Sequence, residues 1–262
     1  MKPIRCDLSQ DLEQIKILSL SDIHIGDINC DFKLLQSRLD YIKSDPECYC
    51  ILSGDLMNTA TRSSKSDIYS ESLSPMEQIK RCVEIFGPIK DKILCIVPGN
   101  HELRTYKSEG IDMTAIMAAQ LGLSDKYSDT TALLFIRFGK AARAKHSGKG
   151  KRPLCYSAYV THGGGGGRKE GGKVNRLADL ASIVDADIYI HSHTHLPVIM
   201  KQAFFRTDTR NSTVALVDKL FVNTGAHLDY GGYGDIQSYK PSSKTTPIIC
   251  LSGTHKRMTA TL

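Results

Sequence analysis

Short apolar segments alternate with amphipathic helical segments through the first half of the chain. The segments QIKILSLSD and CYCILSGD end at Asp22 and Asp55, and a third, KILCIVPGN, ends at Asn100. Between the first two, FKLLQSRLDYIKS places its apolar residues along one helical stripe. A second helix is predicted from about Pro75 to Phe86. This alternation predicts a parallel sheet whose strands are connected by helices.

The pattern changes in the second half, where strands follow one another more closely. TALLFIRFG and LCYSAYVTHG are separated only by a basic loop at residues 139–153, which predicts a hairpin. ADIYIHSHTH, KLFVNTGAH and PIICLSG add further strands. Because hairpins imply antiparallel pairing, we expect mixed sheets. We predict an α/β fold, a four-layer sandwich of two mixed β-sheets flanked by helices, formed by a single domain over residues 1–262.

Composition excludes several other classes of protein. No apolar run reaches the roughly 20 residues that span a bilayer, and the start MKPIRCDLSQDLEQIKI lacks the apolar core of a signal peptide. The 8 cysteines include no CxxC pair, so neither a zinc ribbon nor a disulfide framework is expected. We therefore expect a cytoplasmic protein whose cysteines remain thiols.

Potential metal ligands follow the apolar segments where each segment ends. They are Asp22, His24, Asp55, Asn58, Asn100, His101, His162, His193 and His195. Each of these short motifs, taken alone, is common at turns and helix caps. Together, at successive strand ends where α/β sheets gather ligands, they predict one site, because buried carboxylates and imidazoles need partners. On extended backbone, the two-residue spacings 22/24 and 193/195 would place each pair on one side. Mixed oxygen and nitrogen donors suit borderline or harder divalent ions.

In order, these motifs resemble those of the calcineurin-like metallophosphoesterase family. DIH at 22–24, GDLMN at 54–58, GNHE at 99–102, the lone His162 and SHTH at 192–195 match its D-x-H, G-D-x-x-[DN], G-N-H-[DE], H and G-H-x-H. VNTGA at 222–226 resembles a later strand end of the family. One departure is Ser192, which stands where the family has glycine. The residue remains small, so we expect the motif to tolerate it.

The resemblance implies two divalent metal ions and assigns their ligands. The first ion would be bound by Asp22, His24 and His195, the second by Asn100, His162 and His193, with Asp55 bridging both. Manganese is the expected metal, with iron, zinc, nickel and magnesium as alternatives, because such ligand sets accept several ions. His191 matches no family ligand, and we favour a structural role for it, with support of a ligand as the alternative.

The resemblance also implies a mechanism. A metal-bridging hydroxide would attack phosphorus in line while both ions hold the phosphoryl oxygens. His101 is not needed as a ligand, and it would protonate the departing alkoxide or contact the phosphate. Glu102 or another carboxylate would orient His101.

The basic loop at 139–153 is the clearest clue to the substrate. It contains no acidic residue, and its cations are Lys140, Arg143, Lys145, Lys149, Lys151 and Arg152. Such a loop near a phosphoesterase centre would attract a polyanion such as nucleic acid, although a solvated surface loop is the alternative. Candidate substrate contacts are Asn58, Arg168, Lys169 and His227.

Three functional classes remain open at this point. In the Ser/Thr protein phosphatase branch, the second motif continues as G-D-x-x-D-R-G, and an Arg precedes the glycine of the third motif. This chain departs from that branch at both places, with Thr59 at the position of the first Arg and Pro98 at the position of the second. We favour hydrolysis of phosphodiester bonds in nucleic acid or nucleotides. The alternatives are a phosphomonoesterase acting on a small metabolite or phosphoprotein, and a non-catalytic scaffold. The complete ligand set argues against the scaffold.

Overall fold

The computed structural model describes residues 1–61, 64, 68–140, 152–165 and 167–262. Its strands are β1 Lys2–Asp7, β2 Gln14–Leu20, β3 Cys48–Ser53, β4 Ile93–Val97, β5 Ala132–Phe138, β6 Leu154–Val160, β7 Ile188–His191, β8 Val198–Asp208, β9 Thr213–Asn223, β10 Ile248–Ser252 and β11 Met258–Thr261. Its α-helices are α1 Phe32–Ser44, α2 Pro75–Phe86, α3 Asn100–Glu109, α4 Met113–Leu121, α5 Glu170–Asp179 and α6 Gly232–Ile236. None of these helices is both long and apolar enough to span a bilayer.

The strands form two mixed sheets. One has the order β11-β10-β2-β3-β4, in which β2, β3 and β4 run parallel and β10 pairs antiparallel with β2 and β11. The other has the order β1-β5-β6-β7-β9-β8, in which β6, β7 and β9 run parallel while β5 and β6 form the predicted antiparallel hairpin. The prediction of two mixed sheets is confirmed.

Three clusters of buried apolar side chains fill the spaces between the four layers. Alternate residues of β2 face opposite ways, so Ile15 and Ile17 pack against the second sheet while Leu18 and Leu20 pack against α1, α2 and α4. On the outer face of the second sheet, aromatic residues of β6, β7 and β9 pack against Leu177 of α5. The layers therefore run helices, sheet, sheet, helix, as predicted.

The carboxyl ends of the parallel strands of both sheets meet at one edge of the sandwich. Ser53 at the end of β3 and Ser192 just after β7 share a hydrogen bond between their hydroxyls at 2.8 Å. Ser21 after β2 and Thr224 after β9 share another at 2.6 Å. These bonds join the two sheets at the level where the predicted ligand loops begin.

The basic loop is only partly described. Lys140 and Arg152 lie at its two ends, and Lys140 forms an ion pair with Asp11 at 2.6 Å. Arg143, Lys145, Lys149 and Lys151 lie outside the described residues. A role of this loop in substrate binding therefore stays a prediction.

Candidate metal centre

The first group of potential ligands comes from the loops after β2 and β7. Ligand atoms of Asp22, His24 and His195 all lie within 4.8 Å of one another. His195 Nε2 is 3.1 Å from Asp22 Oδ1, and the Asp22 side chain is completely buried. Two strands from different sheets thus supply one three-residue cluster.

The second group is centred on Asp55, after β3. Ligand atoms of Asp55, His162 and His193 also lie within 4.8 Å of one another. Asp55 Oδ2 is 3.1 Å from His162 Nε2 and 4.0 Å from His24 Nε2, so this carboxylate stands between the two groups. Asn100 Oδ1 is 3.2 Å from the same His162 nitrogen. The structure therefore brings all seven predicted ligands to one place, and their ligand roles remain a proposal.

Buried polar atoms test whether these residues fit metal ions. Among the described residues, His24 Nε2 is buried and has no hydrogen-bond partner, and Asp22 Oδ1 is buried and forms no well-aligned hydrogen bond although His195 Nε2 is 3.1 Å away. Leaving a buried polar atom unsatisfied costs about 1–3 kcal/mol, and more when the group is charged. A divalent cation would satisfy both atoms at once, and carboxylate oxygen with imidazole nitrogen is a donor set that such ions accept. The residues fit.

The backbone at the site is strained. Of the eight non-glycine residues with positive φ in the described part of the chain, five are predicted ligands, with φ between 49° and 65°. These are Asp22, His24, Asp55, His193 and His195. Each such conformation costs about 1–3 kcal/mol and persists only where the surroundings enforce it. The expectation that 22/24 and 193/195 converge through extended backbone is wrong, because left-handed turns just beyond β2 and β7 aim these side chains.

Two glycines make room for the ligands. A Cβ at Gly99 would lie 2.1 Å from Asp55 Oδ1, and one at Gly54 would lie 2.7 Å from His162 Nδ1. Gly54 also has a φ of +89°, which disfavours any side chain there. The loops after β3 and β4 can therefore touch only because both positions lack a side chain.

Hydrogen bonds orient several imidazoles in the same way. His162 Nδ1 donates to the Ser53 carbonyl at 2.8 Å, and His101 Nδ1 donates to the Asn58 carbonyl, also at 2.8 Å. Because a carbonyl oxygen can only accept, each Nδ1 carries its hydrogen. Each Nε2 is thereby directed towards Asp55 Oδ2, at 3.1 Å from His162 and 3.8 Å from His101. Such partners fix the tautomer that ligation requires.

Burial and charge set the protonation of the cluster. Burial lowers the pKa of His24 to about 3 and that of His193 to about 4, so both imidazoles are neutral and available to a cation. Burial also acts to lower the pKa of His162, but the adjacent Asp55 carboxylate outweighs it and raises the pKa to about 10. A proton between His162 and Asp55 therefore occupies the place where a cation would bind.

Adding Mn²⁺ to the metal-free protein at about pH 7 should release at least about one proton per chain. The reason is that His162, with a pKa of about 10, must lose its Nε2 proton before it can ligate. Between about pH 7 and 9, metal affinity should rise by up to tenfold per pH unit. Titration in weakly buffered solution with a pH indicator measures this release. Binding without proton release at pH 7 would contradict the assignment of His162 as a ligand.

Glu102 has a different role from the one expected. In the described part of the chain, no hydrogen bond or ion pair joins its carboxylate to the His101 imidazole. The carboxylate accepts from four backbone N–H groups, those of Asp55, Leu56, Met57 and Gly99, at 2.6–3.1 Å. Burial and the nearby Asp55 charge raise the pKa of Glu102 to about 7. Glu102 therefore holds the loops after β3 and β4 together, and the Asn58 carbonyl orients His101.

His191 supports the turn that carries two of the predicted ligands. Its Nδ1 is 2.6 Å from Asn223 Oδ1, and the Asn223 amide donates to Thr194 Oγ1 at 2.8 Å and to the Leu196 carbonyl. A Cβ at Gly163 would lie 2.1 Å from His191 Nε2, so the next loop packs directly on this ring. These contacts match the structural role favoured for His191. The sequence marks Asn223 only as a strand end, and nothing there points to this contact.

The four candidate substrate contacts differ in their burial and in their partners. Asn58 is buried, with Oδ1 3.2 Å from His24 Nδ1. Arg168 donates to the Gln237 carbonyl at 3.0 Å, and Lys169 is exposed just before α5. His227 is 1 % exposed and its Nδ1 donates to the Ser21 carbonyl at 3.0 Å, so the structure gives its substrate-binding prediction no support. The other three stay predictions.

Comparison with known proteins shows which family and which solved structures the chain is similar to. A model of the calcineurin-like phosphoesterase family matches residues 15–197. No curated protein matches the chain. Similar solved structures include a predicted phosphoesterase from Streptococcus pneumoniae, 13% identical over 95% of this chain and 90% of that chain, with a TM-score of 0.38. A Vps29 double mutant from Entamoeba histolytica is 13% identical over 94% of this chain and 98% of that chain, with a TM-score of 0.39.

Proposed function

Because the chain belongs to the calcineurin-like phosphoesterase family, we propose that it hydrolyses phosphodiester bonds of nucleic acid or nucleotides with the help of two divalent metal ions. The family match and the ligand clusters together support metal-dependent phosphoester hydrolysis. One observation carries the proposal most directly. The Asp55 carboxylate, which is 2 % exposed, stands between two groups of imidazoles.

The ligand sets of the two ions follow from that arrangement. Asp22, His24 and His195 would hold one ion, Asn100, His162 and His193 the other, and Asp55 both. Bound there, the ions would supply an activated water and positive charge against the phosphoryl oxygens. Manganese is the metal we would test first.

His101 is the candidate general acid. Its Nδ1–H is held by the Asn58 carbonyl, and its backbone N–H donates to Asp55 Oδ1 at 2.8 Å, so ring and backbone are both fixed. Its Nε2, 3.8 Å from Asp55 Oδ2, remains free to carry the proton that a departing alkoxide needs. Burial lowers the pKa of His101, which makes the protonated ring a stronger acid.

Positive charge in the loop that follows His162 favours a polyanionic substrate. Arg168 and Lys169 follow the glycine run after His162. Lys140 and Arg152 lie instead near the amino end of β6, whereas His162 follows its carboxyl end, so these two cations are at the opposite edge of the sheet from the predicted ligands. Positive charge near a phosphoesterase centre raises the local concentration of phosphate chains. This observation favours a polyanion such as nucleic acid over a substrate with a single phosphate, and the internal linkages of nucleic acid are phosphodiesters.

Hydrolysis of two nitrophenyl esters tests the choice of substrate. With Mn²⁺ bound, we expect kcat/KM to be at least about tenfold higher for bis-p-nitrophenyl phosphate than for p-nitrophenyl phosphate, a difference of about 1.4 kcal/mol in transition-state binding. A preference for the monoester would favour the phosphomonoesterase alternative. Stoichiometric metal binding without hydrolysis of either ester would favour a scaffold. An oligonucleotide panel then tests nucleic acid itself.

A further inference from the structure

We infer that Glu71, which lies outside the family motifs, is a positioning residue that sets the tautomer of His24 through the side-chain amide of Asn58. The inference rests on the proposed function in one respect, namely that His24 binds a metal ion through Nε2. The contacts that support the inference run from the backbone through the side chains of Gln78, Glu71 and Asn58 to the His24 ring.

The first contact fixes the Gln78 amide. Gln78 is completely buried; its Oε1 accepts from the Thr59 N–H at 3.0 Å, and its Nε2 donates to the Leu73 carbonyl at 2.9 Å. A backbone N–H can only donate and a carbonyl can only accept, so this amide has one possible orientation. The same Nε2 donates to Glu71 Oε2 at 2.6 Å, which fixes one side of the Glu71 carboxylate.

Gly26 allows this arrangement to lie close to the His24 loop. A Cβ at Gly26 would be 2.5 Å from Gln78 Nε2 and 2.9 Å from Glu71 Oε2, and φ is +110°. The Gly26 carbonyl accepts from both the N–H and the hydroxyl of Ser72, at 2.8 and 2.9 Å. The segment that carries Glu71 is thus bound to the loop that carries His24.

The Asn58 amide transmits this orientation. Its Nδ2 donates to Glu71 Oε1 at 2.5 Å, and its Oδ1 is 3.2 Å from His24 Nδ1. An ionised carboxylate only accepts, so Asn58 turns its NH₂ towards Glu71 and its oxygen towards His24. An amide oxygen also only accepts, so His24 must carry its hydrogen on Nδ1. The buried Nε2, which has no hydrogen-bond partner among the described residues, then keeps the lone pair that a metal ion needs.

The test is Glu71→Gln, which keeps the shape of the side chain. A glutamine can donate to Asn58 Oδ1, which lets the Asn58 amide rotate and present its NH₂ to His24. His24 would then accept at Nδ1 and carry hydrogen on Nε2. In metal-free protein at about pH 8, two-bond ¹H–¹⁵N spectra of ¹⁵N-histidine-labelled samples report the tautomer. The His24 signals are assigned from their loss in His24→Gln.

We expect wild-type His24 to carry hydrogen on Nδ1 and the variant to shift towards hydrogen on Nε2. Calorimetry with Mn²⁺ should show affinity for one of the two ions reduced by about 10-fold or more, the usual effect of removing a partner of a metal ligand. The matched control is Glu109→Gln, an exposed carboxylate on the wall of the same 620 Å³ cavity that Glu71 lines. It removes the same charge without touching Asn58, and it should change neither measurement.

Several outcomes would overturn the inference. An unchanged tautomer in Glu71→Gln, with or without weaker metal binding, would leave Glu71 with only a structural role. A wild-type His24 that carries hydrogen on Nε2 would do the same. In an Asn58→Ala background, Glu71→Gln should have no further effect on affinity; an undiminished effect would contradict transmission through Asn58. Failure of the wild-type protein to bind two ions would refute the proposed function while leaving the tautomer result interpretable.

Discussion

Replacing Asp55 with Asn should weaken binding of the two metal ions at least about a hundredfold and reduce turnover by about a thousandfold or more. Among the described residues, Asp55 is the one carboxylate placed between both imidazole groups, with Oδ2 3.1 Å from His162 Nε2 and 4.0 Å from His24 Nε2. The substitution removes a full negative charge that two cations would share. Charge stabilisation by bound ions contributes several kcal/mol, and about 1.4 kcal/mol corresponds to tenfold in rate. Calorimetry with Mn²⁺ and kcat on the diester measure the two effects.

Asparagine makes this a change of charge with little change of shape. It tolerates the left-handed backbone of Asp55, whose φ is 49°, and its amide oxygen can still accept from the His101 N–H. Asp40→Asn, on the exposed face of α1, is the matched control and should leave both measurements unchanged. We expect affinity to fall at least about a hundredfold, beyond the range of partners that only orient a ligand. An Asp55→Asn protein that still binds two ions tightly would refute the bridging role.

The convergence of the ligands could be predicted from the sequence because parallel strands present their carboxyl ends at one edge. Asp22, Asp55 and Asn100 follow β2, β3 and β4, which are neighbours in one parallel set. His162 and His193 follow β6 and β7, which are neighbours in the other sheet. Once two packed sheets are predicted, ligands at these strand ends have only one region in which to meet.

The local geometry could not be predicted in this way. Strand periodicity placed residues 22 and 24 on one face, whereas both adopt positive φ in a turn beyond β2. Left-handed conformations of non-glycine residues depend on tertiary contacts that outweigh local preference, such as the Asp22 N–H bonded to the Gly54 carbonyl. These contacts join segments that lie more than thirty positions apart, and they leave no local pattern in the sequence.

The residues that orient the ligands were also missed, for a related reason. Glu71, Glu102 and Asn223 act through hydrogen bonds to groups in other segments of the chain, and no spacing rule marks such partners. The GNHE motif draws attention to Glu102, yet its nearness in sequence to His101 suggested the wrong contact. Its four bonds to backbone N–H groups become visible only when the loops after β3 and β4 are seen side by side.

His101→Ala should keep both metal ions and lower turnover by about two to four orders of magnitude, the usual contribution of a general acid. The His101 ring donates to the Asn58 carbonyl and approaches Asp55 no closer than 3.8 Å, so its loss leaves the proposed ligand set intact. The effect should depend on the leaving group. A nitrophenolate departs without a proton, whereas the alkoxide of a ribose or deoxyribose needs one. The loss should therefore be much larger for a dinucleotide than for bis-p-nitrophenyl phosphate.

That dependence separates acid catalysis from the other role open to His101, which is to bind the phosphate. A phosphate contact would be lost equally with both substrates, because it does not involve the leaving oxygen. The variant's metal content, measured by calorimetry, should equal that of the wild type. Loss of an ion would mean instead that His101 completes the cluster it can form with His24 and Asp55. Equal losses on the two substrates would assign His101 to phosphate binding, and full activity on the dinucleotide would remove it from the mechanism.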